Sequence, residues 1–212
     1  MKKRPTRNNV AYGFLLLLFP TIFFLMASDI LAQEGSGKIQ GMIKSPYVKR
    51  FPALIFIDHV DGTFPPPAEK VHVSQKDLLF APHINPILNG TTVDFTNDDT
   101  VVHNVFTPPG SASGFNLGNY GQGVAKSYTF TNLGVSTLLC SVHPEMVAFV
   151  IVLQNPYYAI TDSTGNFLIE NVPPGTYQIK FWNEKLEAPP QSVTLVAGKA
   201  ETVTFNDLKK KD

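Results

Sequence analysis

The length, composition and charge of the chain limit what it can do. Its 212 residues suffice for one large or two small domains, and a hydrophobic content of 43% is ample for packed cores. Basic and acidic residues number 17 each, and this balance indicates neither nucleic acid nor an anionic membrane surface as a partner.

Residues 1–32 are predicted to be a signal peptide rather than part of the fold. Four basic residues precede the nearly uncharged apolar run 11–27, and Ala32 offers a small residue for cleavage. Ile30, at the −3 position of this cleavage site, is larger than the small residue preferred at that position. An uncleaved membrane anchor is therefore the alternative, although the apolar run is short for a membrane span and is interrupted by Pro20. In both cases the rest of the chain, with 13 basic and 16 acidic side chains, is expected outside the cytoplasm, in the periplasm.

Short strand-like segments separated by turn residues predict an all-β fold. After the proline-rich connector 63–67, candidate strands recur about every ten residues, which is typical of a sandwich or barrel. The glycine-rich stretch 108–123 interrupts the series and is predicted to be a loop. The candidates are 38–43, 52–60, 71–73, 91–97, 102–106, 125–130, 135–140, 146–153, 157–161, 167–170, 176–182, 192–196 and 201–205.

The candidate strand 146–153 is apolar on both faces. One face is expected to fill the core of its own sandwich, and the other needs cover from a second element. The C-terminal segment can provide that cover. Its basic end, 209–211, is predicted to be a solvated tail.

Cys140, His143 and Met146 form the most informative pattern in the chain, at Cys-x2-His-x2-Met spacing between two strand candidates. Cys140 is the only cysteine, and a metal-bound thiolate would explain an unpaired cysteine in an exported protein. Taken alone, it could instead be an inert buried residue. The short connection predicts that the thiolate and the thioether face the same metal and that His143 is the outermost ligand.

His103 is the predicted fourth ligand, with a structural strand histidine as the alternative. It follows the acidic turn 97–99 and precedes Asn104, whose amide could hydrogen-bond the Cys140 sulfur and tie the two ligand strands together. The remaining histidines, and the glutamate beside His143, are predicted to lie at surfaces, strand ends or the rim of the site: His59, His72, His83 and Glu145.

The predicted ligand set indicates copper and electron transfer. One thiolate, two imidazoles and a weak axial thioether are the ligands of a mononuclear blue-copper site. Four protein ligands leave no open position for a substrate, and the His-x-His pairs expected of a multicopper oxidase are absent from the sequence. We therefore expect one type 1 copper ion and an electron carrier, not an enzyme, with no small-molecule substrate.

At these residues the sequence resembles the cupredoxins, most closely the plastocyanin and amicyanin branch. The pair His103-Asn104 matches the upstream ligand and its neighbour, and residues 140–146 match the short amicyanin-like ligand loop, including proline after histidine. Residues 80–82 and 89–97 resemble the family's approach to the first ligand. The resemblance covers 68–156 and implies a Greek-key β-sandwich, type 1 copper held by His103, Cys140, His143 and Met146, and one-electron carriage.

The flanking sequence resembles a second, smaller β-sandwich, the carboxypeptidase regulatory-like (transthyretin-like) module. Residues 161–167 and 172–177 carry that resemblance. The Gly-x-Ile-x-Gly strand that normally opens this module is absent just before Thr161 but present at 37–41. This predicts a discontinuous domain, 37–60 and 157–208, with the copper domain 68–156 inserted into it.

The leading hypothesis is a periplasmic electron carrier whose redox partner docks over His143. The alternative is a copper-binding or sequestering module of the cell envelope without an electron-transfer role. A metal-free, adhesion-like β protein is the third possibility. A membrane becomes a partner only if residues 1–32 are not cleaved.

Overall fold

Strands dominate the part of the chain that the computed structural model describes, residues 35–211. A single short 3₁₀ helix, Pro46–Lys49, interrupts the strands of this part. None of its helical segments has the length and hydrophobicity of a membrane span. The predicted all-β class is confirmed, whereas the predicted signal peptide lies outside the described residues.

Eighteen strands make up the described part. In chain order they are β1 (Gly37–Met42), β2 (Leu54–Ile57), β3 (Val71–Lys76), β4 (Leu79–Ala81), β5 (Ile84–Leu88), β6 (Thr92–Asn97), β7 (His103–Phe106), β8 (Asn116–Tyr120), β9 (Ala125–Thr129), β10 (Gly134–Leu139), β11 (Val147–Leu153), β12 (Tyr158–Ile160), β13 (Asn166–Val172), β14 (Gly175–Trp182), β15 (Leu186–Glu187), β16 (Gln191–Leu195), β17 (Ala200–Val203) and β18 (Lys209–Lys210).

The first sandwich consists of two sheets built from the middle of the chain. One has the strand order β5-β11-β10-β7-β8 and the other β4-β3-β6-β9. Neighbours in these sheets are often distant in sequence, because β11 pairs in parallel with β5, and β3 with β6. Alternate residues of the strands point inward and form one core, which includes Val73, Phe95, Leu138, Val150 and Phe130.

The second sandwich combines strands from both ends of the described chain. Its sheets have the orders β12-β2-β14-β16 and β13-β1-β17, and β15 and β18 form a small additional pair. β1 pairs with β13 and with β17, so the residues before the first sandwich join those after it. Ile39 of β1 is fully buried in the same core as Ile55, Ile169 and Ile179.

β11 is shared between the two cores, as its apolar sequence predicts. Ala148, Val150 and Val152 lie in the core of the first sandwich. The residues between them face the other way and meet β2 and β14, forming an interface that contains Leu54, Ile84, Phe149, Ile151, Leu153 and Trp182. Each buried aliphatic side chain there contributes about 1.5–3 kcal/mol, so the two sandwiches stabilise one another.

Two segments differ from the sequence-based expectation. β8 lies within the stretch predicted to be a loop. It is an edge strand that pairs only with β7, and because most of its residues are not buried, its sequence shows no hydrophobic alternation. The basic end is not a free tail, since Lys209 and Lys210 pair with β15 and extend the second sandwich beyond residue 208.

Candidate metal centre

His103, Cys140 and His143 converge at one end of the first sandwich. His103 begins β7, Cys140 directly follows β10, and His143 lies in the turn between β10 and β11. Among residues 35–211 these form the one group of three or more His, Cys, Asp or Glu side chains that could hold a metal ion. The structure thus brings together residues 37 and 40 positions apart in the chain.

The three ligand atoms fit one transition-metal ion. Cys140 Sγ lies 3.9 Å from the Nδ1 atoms of His103 and His143, and the two nitrogens are 3.1 Å apart. A point in the plane of this triangle can lie about 2.0 Å from both nitrogens and about 2.3 Å from the sulfur, which are ordinary metal–imidazole and metal–thiolate bond lengths. One thiolate and two imidazoles in a trigonal plane are the donors that copper takes in electron-transfer sites.

Met146 lies close to this group in the fold. Its side chain is fully buried in the core that also contains Cys140, and its backbone N–H donates to the His143 carbonyl over 3.0 Å. That hydrogen bond closes the turn 143–146 and places Met146 one residue before β11. Its predicted role as the axial ligand stays a prediction.

The four predicted ligands differ in their exposure to solvent. His103 and Met146 are fully buried, Cys140 is nearly so, and His143 is half-buried. His143 is therefore the most accessible of the four, as its place in the short turn predicts. Its neighbours in the chain, Val142 and Pro144, are exposed apolar residues, and we call them the apolar rim.

Asp99 fixes the orientation of His103. His103 Nε2 donates to Asp99 Oδ2 over 2.8 Å, which leaves Nδ1 with its lone pair directed toward Cys140 and His143. The same carboxylate accepts hydrogen bonds from the backbone N–H groups of Asp77 and Leu78. The bond from His103, followed by that from Leu78, lowers the pKa of Asp99 below the ordinary value for aspartate.

Asn104 ties the two ligand strands together, as predicted. Its backbone N–H donates to Cys140 Sγ over 3.4 Å, and its side-chain carbonyl accepts from the backbone of Ser141. Its side-chain amide donates to Asn116 of β8. Gln75, fully buried in β3, donates to the backbone carbonyl of Asn104 over 3.1 Å. These bonds hold the sulfur in place relative to β7.

Tyr120 is a further buried polar residue near the candidate centre. It pairs with His103 across β7 and β8, and its ring packs in the same core as Cys140. Burial, with a smaller contribution from the Cys140 charge, raises the pKa of its phenol. Its hydroxyl is buried without a hydrogen-bond partner among the described residues.

The remaining candidates lie outside the group. His59 and His72 are exposed, and His83 lies 3.4 Å from Glu184 of the segment that follows β14. Glu145 is exposed beside His143. These positions agree with their predicted places at surfaces and on the rim.

Sequence reasoning missed Asp99, Gln75 and Tyr120 as neighbours of the candidate centre. Asp99 had a signal, because it stands four residues before His103 in an acidic turn. Gln75 also had one, since it shares the buried face of β3 with Val73, where an apolar residue is expected. Tyr120 lies in the stretch predicted to be a loop, so no periodicity pointed to it.

The family-model and structure matches each cover only part of the chain. A family model described as polysaccharide lyase family 4, domain II, matches residues 134–203, about a third of the chain. It names a different family from the carboxypeptidase regulatory-like module, so that resemblance stays a prediction. The curated proteins contain no match.

Three solved structures match parts of the chain, with TM-scores of 0.40 or lower. A copper-containing nitrite reductase from Thermus scotoductus SA-01 is 26% identical with a TM-score of 0.40, and the match covers 47% of this chain and 25% of the reductase. A purple cupredoxin from Nitrosopumilus maritimus is 28% identical with a TM-score of 0.36, over 39% of this chain and 99% of that one. A reduced Cu(I) form of an amicyanin mutant is 23% identical with a TM-score of 0.38, over 42% of this chain and 91% of that one.

Proposed function

We propose that the chain is an exported type 1 copper protein that carries single electrons between redox partners. The observation that carries this proposal is the convergence of His103 Nδ1, Cys140 Sγ and His143 Nδ1 on one metal-sized space. Met146 is the proposed axial ligand. A bound copper ion supplies a one-electron couple between Cu(I) and Cu(II).

The residues around the centre suit a carrier because they resist rearrangement. Asp99 holds His103, Asn104 holds the Cys140 sulfur, and the turn hydrogen bond fixes His143 relative to Met146. Ligands that keep their positions in both oxidation states keep the cost of each electron transfer small. Three protein donors in a plane and a fourth along the axis would leave no open position for a substrate, which favours a carrier over an enzyme.

Electrons are proposed to enter and leave through His143. Its ring is the most accessible part of the candidate centre, and the exposed apolar residues Val142 and Pro144 beside it would let a partner protein approach closely. His103 and Met146 are fully buried and offer no such route.

The second sandwich is proposed to be a discontinuous domain that braces the copper domain. The pairing of β1 with β13 and β17 supports this division, since an inserted domain requires strands from before and after it to meet. The proposed place of action is the periplasm, which rests on residues 1–32 acting as an export signal.

Repeated reduction and reoxidation of the Cu(II)-loaded protein tests carriage against sequestration. A carrier should lose its thiolate-to-copper absorption on reduction and regain it fully on reoxidation over many cycles, with all copper retained. His103→Ala should abolish the absorption, whereas His83→Ala, a histidine outside the group, should leave it intact. Release of copper on reduction would instead favour the sequestering module, and absence of copper binding would reject both.

A further inference from the structure

Basic side chains are concentrated at one end of the second sandwich. Of the 13 basic residues between positions 35 and 211, seven lie in three short segments around the 3₁₀ helix, β15 and β18. All seven are exposed. We call them the basic cluster: Lys44, Lys49, Arg50, Lys185, Lys209, Lys210 and Lys211.

Contacts with aromatic rings bring the three segments together. The Arg50 guanidinium and the Lys185 ammonium lie 5.2 Å and 5.4 Å from the centre of the same Phe51 ring. Lys210 lies 5.8 Å from the ring of Tyr47, beside the 3₁₀ helix, and also pairs with β15. The basic cluster is therefore one continuous surface rather than three separate charges, although it is built from both ends of the described chain.

Nearby acidic groups do not neutralise this surface. Glu184 is mostly buried and bonds to His83, and the exposed acids around the cluster are Glu187 and Asp207. Among residues 35–211, seven positive charges thus face three negative ones, and Asp212, which lies outside the described residues, follows Lys211 in the sequence. The first sandwich has the opposite balance, because residues 71–153 contain two basic and five acidic side chains.

One edge of the basic cluster lies near the start of β11, the strand that directly follows the candidate metal centre in the chain. Phe149, three residues after Met146, contacts the Trp182 ring at 4.9 Å between centroids, and the Lys211 ammonium lies 5.7 Å from the same indole. Three residues of extended chain span about 10 Å, so the edge of the cluster lies within a protein-sized footprint of the metal centre.

We propose that the basic cluster and the rim of His143, Val142 and Pro144, which also carries the single exposed acid Glu145, form one docking surface for an acidic electron-transfer protein. This inference rests on the proposed function. The cluster would attract and orient the partner over tens of ångströms, and the apolar rim would make the close contact through which the electron passes. The second sandwich then contributes partner recognition as well as support.

A protein fits this surface better than a membrane does. The chain enters the second sandwich at Gly37, and the length of β1, about 20 Å, separates that point from Lys44. The cluster is thus at the opposite end of the second sandwich from the start of β1. A bilayer lying on the cluster would also crowd the neighbouring rim of the metal centre.

The test compares two variants with the same change in net charge. Lys49→Gln/Lys185→Gln/Lys209→Gln removes three charges from the cluster, and Lys38→Gln/Lys70→Gln/Lys199→Gln removes three exposed charges elsewhere. The probe is a [2Fe–2S] ferredoxin with an acidic surface, used in reduced form as electron donor, because the low reduction potential of such ferredoxins makes transfer to Cu(II) downhill. A basic c-type cytochrome is the probe of opposite charge.

At low salt we expect the cluster variant to accept electrons from the ferredoxin about tenfold more slowly than the wild type, and the control variant to change less than about twofold. The difference should vanish between about 10 mM and about 1 M salt, as the Debye length falls from about 30 to about 3 Å. Equal rates for the two variants, or no salt dependence in the wild type, would overturn the proposal. Faster transfer with the basic cytochrome than with the ferredoxin at low salt would also overturn it.

Two further measurements separate this inference from the proposed function. Calorimetric binding of oxidised ferredoxin to the copper-free protein reports the surface alone, and loss of that binding in the cluster variant supports the docking surface even if electron carriage fails. Binding of the wild type to phosphatidylserine vesicles through the cluster, without ferredoxin binding, would replace the protein partner with a membrane.

Discussion

The two sandwiches bury different kinds of side chain. Eight of the eleven buried polar residues among positions 35–211 belong to the first sandwich, as do all five buried side-chain atoms without a hydrogen-bond partner there. The core of the second sandwich is almost entirely aliphatic and aromatic. Because burying a polar group without a partner costs free energy, these five atoms are a cost that the core of the second sandwich does not carry.

This difference indicates that the two sandwiches have different roles in the protein. Four of these eight buried polar residues lie on β3, β7 and β10, the strands that carry or support the candidate ligands: Gln75, His103, Asn104 and Ser136. Local departures from an apolar core are expected at functional sites, where other parts of the protein compensate for them. We expect the apolar second sandwich and the shared strand β11 to provide that compensation, since their buried side chains are almost all apolar.

The largest expected effect comes from weakening the shared interface. Ile151→Ala removes a buried side chain on the face of β11 that meets the second sandwich, and we expect it to lower the free energy of unfolding by about 2–5 kcal/mol. Urea unfolding measures the loss, with the exposed Val196→Ala as the control, expected within about 0.5 kcal/mol of the wild type. The copper spectrum should not change, and a changed spectrum would mean that the interface shapes the metal centre.

Copper should stabilise the whole described unit, although it would bind only the first sandwich. At free copper about 100 times the dissociation constant, we expect a gain of about 2.7 kcal/mol. Since the sandwiches share a buried interface, a single unfolding transition should shift in calorimetry. Two transitions, of which copper moves one, would show that the sandwiches unfold independently.

Asp99→Asn should weaken copper binding by about 10–100-fold, because the partner that orients His103 loses its charge. Competition with a chromophoric chelator measures the affinity. Asp98→Asn is the matched control, since Asp98 is adjacent in the chain and bonds to Ser74 and Thr96 instead of to a ligand. Equal affinities for the two variants would argue against a positioning role for Asp99.

The smallest effect is a pH dependence confined to the second sandwich. Hydrogen bonds from the Thr164 hydroxyl and then the Asn166 backbone lower the pKa of Asp162 to about 2, below its ordinary value of 3.8. A lowered carboxyl pKa stabilises the fold above pH 3.8, and this contribution disappears as the pH falls toward about 2. The difference in melting temperature between the wild type and Asp162→Ala should therefore narrow in that window. A difference that stays constant from pH 6 to about 2 would contradict this.

Much of the fold could be predicted because hydrophobic patterns and turn residues act locally. The two-faced run 146–153 led correctly to a strand shared by two cores. β8 was not predicted, because an exposed edge strand is stabilised by backbone hydrogen bonds to its neighbour and needs no alternation of apolar residues. The pairing of Lys209 and Lys210 with β15 was not predicted either, because it depends on the tertiary fold and leaves no local pattern in the sequence.

The candidate ligands that stand close together in the sequence were the ones that could be predicted most directly. Cys140, His143 and Met146 stand within seven residues, and His103 could be added because His-Asn is a recognisable pair. The hydrogen bond from Asn104 to the Cys140 sulfur was predicted and is confirmed. The alternation of β3 marks Gln75 as inward-facing, but its partner could not be predicted, because that partner is a backbone carbonyl 29 residues away that only the sheet topology brings near.

The visible spectrum of the purified protein with Cu(II) tests the central claim most directly. If His103, Cys140 and His143 bind one copper ion, the wild type should show an intense thiolate-to-copper band, and Cys140→Ser should abolish it. A wild-type spectrum without that band, or a band that persists in Cys140→Ser, would contradict the account.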